Sequence, residues 1–164
     1  MPVAFTGHGV EAKGDRADLP RMRTQAKPLK VLLVDDEAYF RHFVGKVLGA
    51  LDRCSIVEAH DGQEAIAQCQ AGNPDLILLD INMPRVDGVQ ALPKIRALNA
   101  ATPIVMLTSV SEEAVVEECV TLGASYFIRK DVPADRLLSE LQEVLRMFFP
   151  LPQESNEQPR TPTA

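Results

Sequence analysis

The stretch LILLDINMPRVDG, residues 76–88, decides the fold. Four consecutive apolar residues end abruptly in Asp80, and a turn containing a proline follows. A short, continuous apolar run bounded by turn residues is typical of a strand buried on both faces of a parallel sheet. Asp80 either closes a turn or is a carboxylate held in place for chemistry, and the rest of the sequence has to distinguish these two roles.

Composition excludes several classes of protein. The 164 residues favour one domain with a sizeable core, and 46% hydrophobic with 24% charged residues is ordinary for a globular protein. The net charge of -6 argues against a nucleic-acid-binding body. No apolar run approaches the roughly 20 residues of a membrane span, and the first 30 residues lack the pattern of a secretory signal.

The three cysteines are widely separated and lack C-x-x-C spacing, so neither a disulfide framework nor a zinc site is indicated. We interpret Cys54, Cys69 and Cys119 as inert core thiols, which fits a reducing cytoplasm. Residues 1–28 and 150–164 mix proline and polar residues without periodicity, and we predict that both are disordered tails. Residues 29–149 form the predicted domain.

Within that domain, strand patterns alternate with helix patterns. Five predicted strands are LKVLLVDD (29–36), CSIVEAH (54–60), PDLILLD (74–80), TPIVMLTS (102–109) and SYFIRK (125–130). Five predicted helices cover residues 37–51, 61–72, 87–98, 111–123 and 133–149. The first and last helices each carry an apolar stripe at helical spacing. This alternation predicts an α/β fold, a parallel sheet covered by helices on both faces.

Local signals support two of the helix starts. Asp61 with Glu64, and Asp87 with Gln90, have the spacing of an N-terminal cap and its partner three residues later. Pro93 lies inside the third predicted helix, where it removes a backbone hydrogen bond, and we expect it to bend or loosen that helix.

Polar side chains stand at the predicted carboxyl ends of four strands. Asp35 and Asp36 end the first strand, Asp80 the third, Thr108 the fourth and Lys130 the fifth. Each has an unremarkable role by itself, such as a turn or a cap. In an open parallel sheet, however, ligands bind at the carboxyl ends of the strands, so together these side chains predict one site.

The residue types at that edge suit phosphoryl transfer. Crowded carboxylates raise one another's pKa unless a cation lies among them, and oxygen ligands suit Mg²⁺. A lysine can hold a phosphoryl oxygen, and a threonine hydroxyl offers a further hydrogen bond. Phosphoryl transfer needs mainly positioning and neutralisation of charge. An aspartate nucleophile would form an acyl phosphate.

The motifs VLLVDDE, LILLDINMPRVDG, PIVMLTS and GASYFIRK, with the spacing between them, resemble the receiver domain of two-component response regulators. The resemblance runs from about residue 29 to residue 149 and is closest to stand-alone receivers of the chemotaxis-regulator kind. It implies a flavodoxin-like, doubly wound sheet of five parallel strands in the order 2-1-3-4-5, with five helices.

The resemblance also implies roles for the acidic residues. Asp80 matches the phosphoacceptor, which becomes a 4-aspartylphosphate. Asp35 and Asp36 match the acidic pair that holds Mg²⁺ together with Asp80. Asn82 matches the residue that contributes its backbone carbonyl to the metal.

Three further residues match the parts that respond to phosphorylation. Thr108 matches the switch hydroxyl, Lys130 the lysine that pairs with the phosphoryl group, and Phe127 the switch aromatic. The chain departs from the pattern at Asp131, where most receivers have a proline, and this puts the conformation of the loop in doubt and adds a negative charge. Val110 and Asn82 occupy places that tune the lifetime of the acyl phosphate.

On this resemblance the chain is expected to be a single-domain response regulator of a phosphorelay, not an enzyme with a separate substrate. A histidine kinase or phosphotransfer protein would phosphorylate Asp80. The face formed by the fourth helix, fifth strand and fifth helix would then change its preference for a protein partner, with a homodimer possible and no nucleic acid or membrane insertion expected. The expected compartment is the cytoplasm.

Other readings stay open. A haloacid dehalogenase-type phosphatase needs a second aspartate two residues after the nucleophile, and Asn82 stands there. A receiver-shaped binding module that is never phosphorylated is a second alternative, against which the complete set of site residues argues. A receiver fragment of a DNA-binding transcriptional regulator is a third, with the C-terminal tail as the stub of a linker.

Overall fold

The computed structural model describes residues 27–51, 53–109 and 113–151. Strands and helices alternate through them. The strands are β1 (Leu29–Val34), β2 (Cys54–Ala59), β3 (Leu76–Asp80), β4 (Ile104–Thr108) and β5 (Tyr126–Arg129). The helices are α1 (Ala38–Gly49), α2 (Gly62–Ala71), α3 (Gly88–Leu98), α4 (Glu113–Thr121) and α5 (Ala134–Phe148).

The five strands form one parallel sheet in the order β2-β1-β3-β4-β5, which confirms the predicted flavodoxin-like fold. The register aligns the carboxyl ends of the strands. Val34 pairs with Leu79, and one residue further along, Asp80 pairs with Leu107. Thr108 pairs with Arg129, the last residue of β5. The residues that end or follow these strands therefore lie at one edge.

Two apolar clusters cover the faces of the sheet, so the central strands are buried on both sides as predicted. Strand residues alternate between the clusters: Leu32 and Val34 belong to one, Val31 and Leu33 to the other. The first cluster is completed by α2, α3 and α4, and the second by α1 and α5. All residues of β3 and β4 are buried.

The predicted apolar stripes of α1 and α5 face the second cluster. On α1, Val44 and Leu48 are fully buried, and Phe40, Phe43 and Val47 are partly buried; Leu51, which lies beyond the end of this helix, is also partly buried. On α5 the buried residues are Leu137, Leu141, Val144 and Leu145, and Phe148 packs against them.

Strand β2 differs from a strand buried on both faces. Ser55, Val57 and Glu58 are exposed, and Ala59 is its one buried residue. The reason is its place at the edge of the sheet, where it pairs with β1 alone. Its sequence reads as a strand, but its position in the sheet sets its burial.

The helix starts match the predicted caps, with one correction. The Asp61 side chain accepts a hydrogen bond from the backbone N–H of Glu64 (2.8 Å), and Asp87 accepts one from Gln90 (2.8 Å). The Glu64 carboxylate, however, accepts the backbone N–H of His60, one residue before the cap. Pro93, where we expected a bend or a loosening, does not interrupt α3, and the helix continues through it to Leu98.

The other sequence expectations concern the termini and the cysteines. Apart from residues 27, 28, 150 and 151, the predicted tails lie outside the described residues. Cys69 and Cys119 are buried and Cys54 is half-buried, and all three thiols are free. In the described part of the chain, none of the helices is long and apolar enough to cross a membrane.

Candidate functional site

The side chains predicted to form a site meet at the carboxyl edge of the sheet. Asp35 and Asp36 follow the last residue of β1, Asp80 and Thr108 are the last residues of β3 and β4, and Lys130 follows β5. Asp35, Asp80 and Thr108 are buried, whereas Asp36 is exposed. The parallel register alone brings these five residues together.

Three carboxylates form an acidic group suited to a hard cation. Oxygen atoms of Asp35, Asp36 and Asp80 all lie within 4.8 Å of one another. Two of the three carboxylates are buried, so water screens their repulsion poorly. Mg²⁺ prefers oxygen ligands and keeps several waters, and the exposed Asp36 leaves one side of the group open to solvent. The donor set therefore fits the ion that the fold family implies.

The electrostatics of the two buried aspartates reflect that crowding. Burial, followed by the charge of Asp35, raises the pKa of Asp80 to about 7, although Lys130 and the backbone N–H of Asn82 act in the opposite direction. Burial also raises the pKa of Asp35 against the hydrogen bonds that it accepts from Lys130 and Glu37. The site thus holds negative charge that a cation would stabilise.

Lys130 neutralises part of that charge. Its Nζ lies 2.6 Å from Asp35 Oδ2 and 3.4 Å from Asp80 Oδ2, and only 8% of its side chain is exposed. Burial alone would lower the pKa of this ammonium, but the hydrogen bonds to Asp35 and Glu37 raise it above the ordinary value. Lys130 is therefore a fixed cation between the two buried aspartates.

The structure adds two neighbours of Lys130 that sequence reasoning missed. Glu37 Oε1 accepts a hydrogen bond from Lys130 Nζ at 2.8 Å, and the ring of Phe40 lies under the ammonium with its centroid 4.5 Å away. The sequence places Phe40 only on an apolar helix face. Glu37 could have been predicted as part of the site, because it directly follows the two aspartates at the end of the first strand.

Arg41 is a further residue beside the candidate site that sequence reasoning missed. This buried guanidinium donates to the backbone carbonyl of Asp35 (2.7 Å) and to the carboxylate of Glu58 (3.0 Å). It therefore fixes the end of β1 against α1 and β2. The sequence did offer a signal, since Arg41 lies next to the apolar stripe of α1. An arginine that becomes buried there needs a partner, because buried arginines are nearly always paired.

The loop after Asp80 is held from two sides. Gly88 donates its N–H to the carbonyl of Ile81 (2.9 Å), and a Cβ at Gly88 would lie 2.1 Å from the carbonyl oxygen of Asp80. On the other side, Arg85, which has a left-handed backbone (φ 65°), forms an ion pair with the buried carboxylate of Asp61. The loop that follows the candidate nucleophile is consequently fixed to α2 and α3.

The roles predicted for Thr108, Phe127 and Asn82 stay predictions, and the structure gives their positions. The backbone N–H of Lys130 donates to the carbonyl of Thr108 (2.9 Å), so these two residues are neighbours across β4 and β5. Phe127 is partly buried against the cluster that contains Met106. Asn82 is exposed directly after the site. Val110 lies outside the described residues.

Asp131, which replaces the usual proline, has a partner of its own. Its carboxylate accepts hydrogen bonds from the guanidinium of Arg129, with Nε 2.7 Å from Oδ1. The described residues contain no cis peptide bond, so the bond between Lys130 and Asp131 is trans. The added negative charge is thus paired with Arg129.

Comparison with known proteins identifies the fold family. Residues 31–142 match the sequence profile of the response regulator receiver domain. The chain belongs to this family. The receiver domain is 32% identical over 118 residues to the chemotaxis protein CheY of Listeria monocytogenes, covering 72% of this chain and 99% of that protein. It is 34% identical to the transcriptional regulatory protein TrcR of Mycobacterium tuberculosis, covering 85% of this chain and 54% of TrcR.

A solved structure shares both the fold and part of the sequence. The receiver domain superimposes on the structure of a CheX-CheY-BeF3-Mg complex from Borrelia burgdorferi with a TM-score of 0.65 and 28% identity, covering 73% of this chain and 90% of that one. The fold, the register of its strand ends and the family agree, so the carboxyl edge of the sheet is the candidate site of this receiver.

Proposed function

We propose that the chain is a single-domain response regulator that accepts a phosphoryl group on Asp80. The observation that carries this proposal is the arrangement at the end of β3: a buried carboxylate lies 3.4 Å from the ammonium of Lys130, beside two further aspartates. The match to 99% of the chemotaxis protein CheY of Listeria monocytogenes supports the assignment as a receiver.

The residues of the chain would divide the reaction between them. An oxygen of Asp80 forms the new P–O bond while the P–N bond of a partner's phosphohistidine breaks, and the histidine nitrogen keeps the electron pair. Lys130 offsets the charge of the phosphoryl oxygens. Asp35, Asp36 and Asp80, with the backbone carbonyl of Asn82, would hold Mg²⁺, which when bound supplies further neutralisation of those oxygens.

The new group would change the surface that a partner contacts. An aspartylphosphate brings negative charge to a buried place, and we propose that Thr108 and Lys130 turn towards it. Phe127, which lies in β5 opposite Met106 and packs against the first cluster, would move inward as Thr108 moves. The face of α4, β5 and α5 would then favour another protein partner, as a shift between two populated states. The phosphodonor would be a histidine kinase or phosphotransfer protein.

The test is the intact mass of the protein after incubation with acetyl phosphate and Mg²⁺. We expect the wild type to gain the mass of one phosphoryl group and Asp80→Asn to gain none. Asp135→Asn, which removes an exposed aspartate at the start of α5, is the matched control and should behave as the wild type. If Asp80→Asn is phosphorylated as fast as the wild type, the assignment is wrong; if nothing is phosphorylated by a small donor or by a kinase, the chain is a binding module.

The similarity to TrcR favours one second candidate. That match spans 142 residues of this chain but 54% of TrcR, a transcriptional regulatory protein. In this alternative the receiver would belong to a longer regulator. The length of the natural open reading frame distinguishes the two.

A further inference from the structure

Lys130 is shared among three carboxylates. Its Nζ lies 2.6 Å from Asp35, 2.8 Å from Glu37 and 3.4 Å from Asp80. The contacts to Asp35 and Glu37 are hydrogen bonds, and the longer contact to Asp80 is an ion pair. The Phe40 ring covers another side of the ammonium. The position of this cation therefore depends on how strongly each acceptor competes for it.

Two of the three acceptors belong to the acidic group that suits Mg²⁺. Oxygens of Asp35 and Asp80 lie within 4.8 Å of each other and of Asp36. A metal ion bound there and the ammonium of Lys130 would seek the same buried oxygens. The ammonium must therefore weaken its contacts to Asp35 and Asp80 when the ion binds, and it then needs another partner, because a buried charge without one is costly.

Glu37 lies where such a partner is needed. Its side chain is 64% exposed, at the rim of the site, while its backbone N–H donates to Asp35 Oδ1 at 2.8 Å. Glu37 occupies the N-cap position of α1, yet its side chain makes no capping hydrogen bond. Glutamate is not among the favoured residues at an N-cap. The carboxylate is thus used for Lys130 and not for its own helix.

We propose that Glu37 is a positioning residue for Lys130, which takes over the ammonium when Mg²⁺ occupies Asp35 and Asp80. This inference rests on the metal site of the proposed function. Without Glu37, the ammonium would remain between Asp35 and Asp80, and Mg²⁺ would have to displace it without compensation. Removing this carboxylate therefore weakens the binding of Mg²⁺ through Lys130.

A double-mutant cycle on the unphosphorylated protein tests this, with the Kd for Mg²⁺ measured by titration calorimetry at fixed ionic strength. Glu37→Gln should raise the Kd about tenfold when Lys130 is present. In a Lys130→Met background the same change should raise it only about twofold, the effect of a lost nearby charge screened by water. Glu143→Gln, which removes an exposed charge on α5, should change neither value.

Two outcomes would overturn the role of Glu37 alone. Equal effects in both backgrounds would mean that Glu37 acts on the ion directly. No effect in either background would mean that Glu37 does not position Lys130. A wild type that binds no Mg²⁺ would instead overturn the proposed metal site, and the inference with it. These failures are distinguishable because the titrations need no phosphoryl transfer.

A second measurement covers the case in which Lys130→Met does not fold. The NζH₃ resonance of Lys130 should stay observable in the Mg²⁺-bound wild type, because Glu37 protects the ammonium from exchange with water. It should broaden beyond detection in Mg²⁺-bound Glu37→Gln. A resonance that persists equally in both proteins would contradict the proposal.

Discussion

Asp80 combines two properties that oppose each other. It is 2% exposed and lies next to the charge of Asp35, which disfavours its ionised form, yet the proposed reaction requires Asp80 to be ionised. The ammonium of Lys130 offsets only part of this cost, since the pKa of Asp80 remains raised to about 7. Burial and the charge of Asp35 therefore disfavour the ionised form of Asp80 in the metal-free protein, and shifts of this kind are common at functional sites.

This cost predicts a dependence of stability on pH in metal-free buffer. A carboxyl group whose pKa rises on folding stabilises the protein most below pH ~4, and the contribution disappears as the pH rises through about 7. Asp80→Asn removes the titration. Relative to the wild type, its free energy of unfolding should therefore increase by about 2–3 kcal/mol between pH 5 and pH 8.

Urea denaturation at several pH values in the presence of a chelator measures this difference. Asp135→Asn is the control and should follow the wild type, since its carboxylate is exposed on α5. A difference between Asp80→Asn and wild type that stays constant from pH 5 to pH 8 would contradict the raised pKa.

Gly88 carries a second prediction at this scale. A Cβ at this position would lie 2.1 Å from the carbonyl oxygen of Asp80, so the main chain of β3 or of the loop must move. Gly88→Ala should lower the free energy of unfolding by about 3 kcal/mol or more, the upper range for overpacking. It should also weaken Mg²⁺ binding, because the strained contact is with Asp80, a proposed ligand of the metal.

Chemical denaturation measures the stability of Gly88→Ala, and Gly49→Ala is the matched control. It lies in α1, and nothing stands within 4 Å of its added Cβ. Its stability should be unchanged or higher by about 0.5–1 kcal/mol, because alanine favours a helix over glycine. Equal effects of the two substitutions would show that the contact with Asp80 is not tight.

The sequence predicted the residues that topology brings together, and missed those that depend on side-chain direction. Asp80 and Lys130 could be placed at one edge because parallel strands end there. Glu37, Phe40 and Arg41 reach the same place from the first turns of α1. Their contacts depend on where that helix begins and on rotamers, which spacing along the chain does not determine.

At the scale of elements, one side chain of α3 forms hydrogen bonds to the α4–β5 connection and to the segment before β4. The Arg96 guanidinium donates to the carbonyls of Thr102 (2.8 Å) and Gly123 (2.6 Å), and to those of Asn99 and Ala100. It thereby connects the segments that precede β4 and β5. The sequence gives no sign of this, because Arg96 reads as an ordinary basic residue in the last turn of a helix.

Arg96→Ala should lower the free energy of unfolding by about 2–3 kcal/mol, because it leaves several backbone carbonyls without a donor. Arg136→Ala removes an exposed arginine whose Nε lies 3.1 Å from Glu140 one helical turn away, and should change stability by less than about 0.5 kcal/mol. Thermal or urea denaturation of both variants decides. Similar losses would show that the Arg96 contacts contribute no more than a surface ion pair.

The sequence predicted those features that are determined by neighbouring residues along the chain. The caps at Asp61 and Asp87 depend on the next three residues and were predicted. The exposure of β2 depends on its place at the edge of the sheet. The Glu64 carboxylate accepts the N–H of His60 because of the conformation of the turn before the cap. Neither is contained in a short stretch of sequence.

At the scale of the whole molecule, the buried core occupies a limited part of the chain. Within the described ranges, its buried apolar residues run from Val31 to Leu145. Beyond α5, Phe149 still packs on the second cluster, and its carbonyl accepts a hydrogen bond from Arg53 at 2.7 Å. Among the described residues, Phe149 is the last that packs on the second cluster, and the domain boundary at residue 149 stays a prediction.

Truncation tests that boundary. A protein of residues 27–151 should unfold at the same temperature as the full chain, within about 2 °C, and bind Mg²⁺ with the same Kd, because it keeps both clusters and the carboxyl edge. A protein of residues 27–147 loses the packing of Phe148 and Phe149 and the acceptor of Arg53. Its free energy of unfolding should fall by about 3 kcal/mol, from two partly buried aromatic side chains and one hydrogen bond.

The comparison between the two truncations separates the contribution of the core from that of the ends. If residues 27–151 were clearly less stable than the full chain, the segments outside them would contribute to the fold, and the domain would extend beyond residues 29–149. If residues 27–147 were as stable as 27–151, the contacts of Phe149 would contribute nothing. With the expected result, the site at the carboxyl edge and the core beneath it form a unit that folds without the termini, and any effect of the termini on signalling would have to come from contacts with a partner.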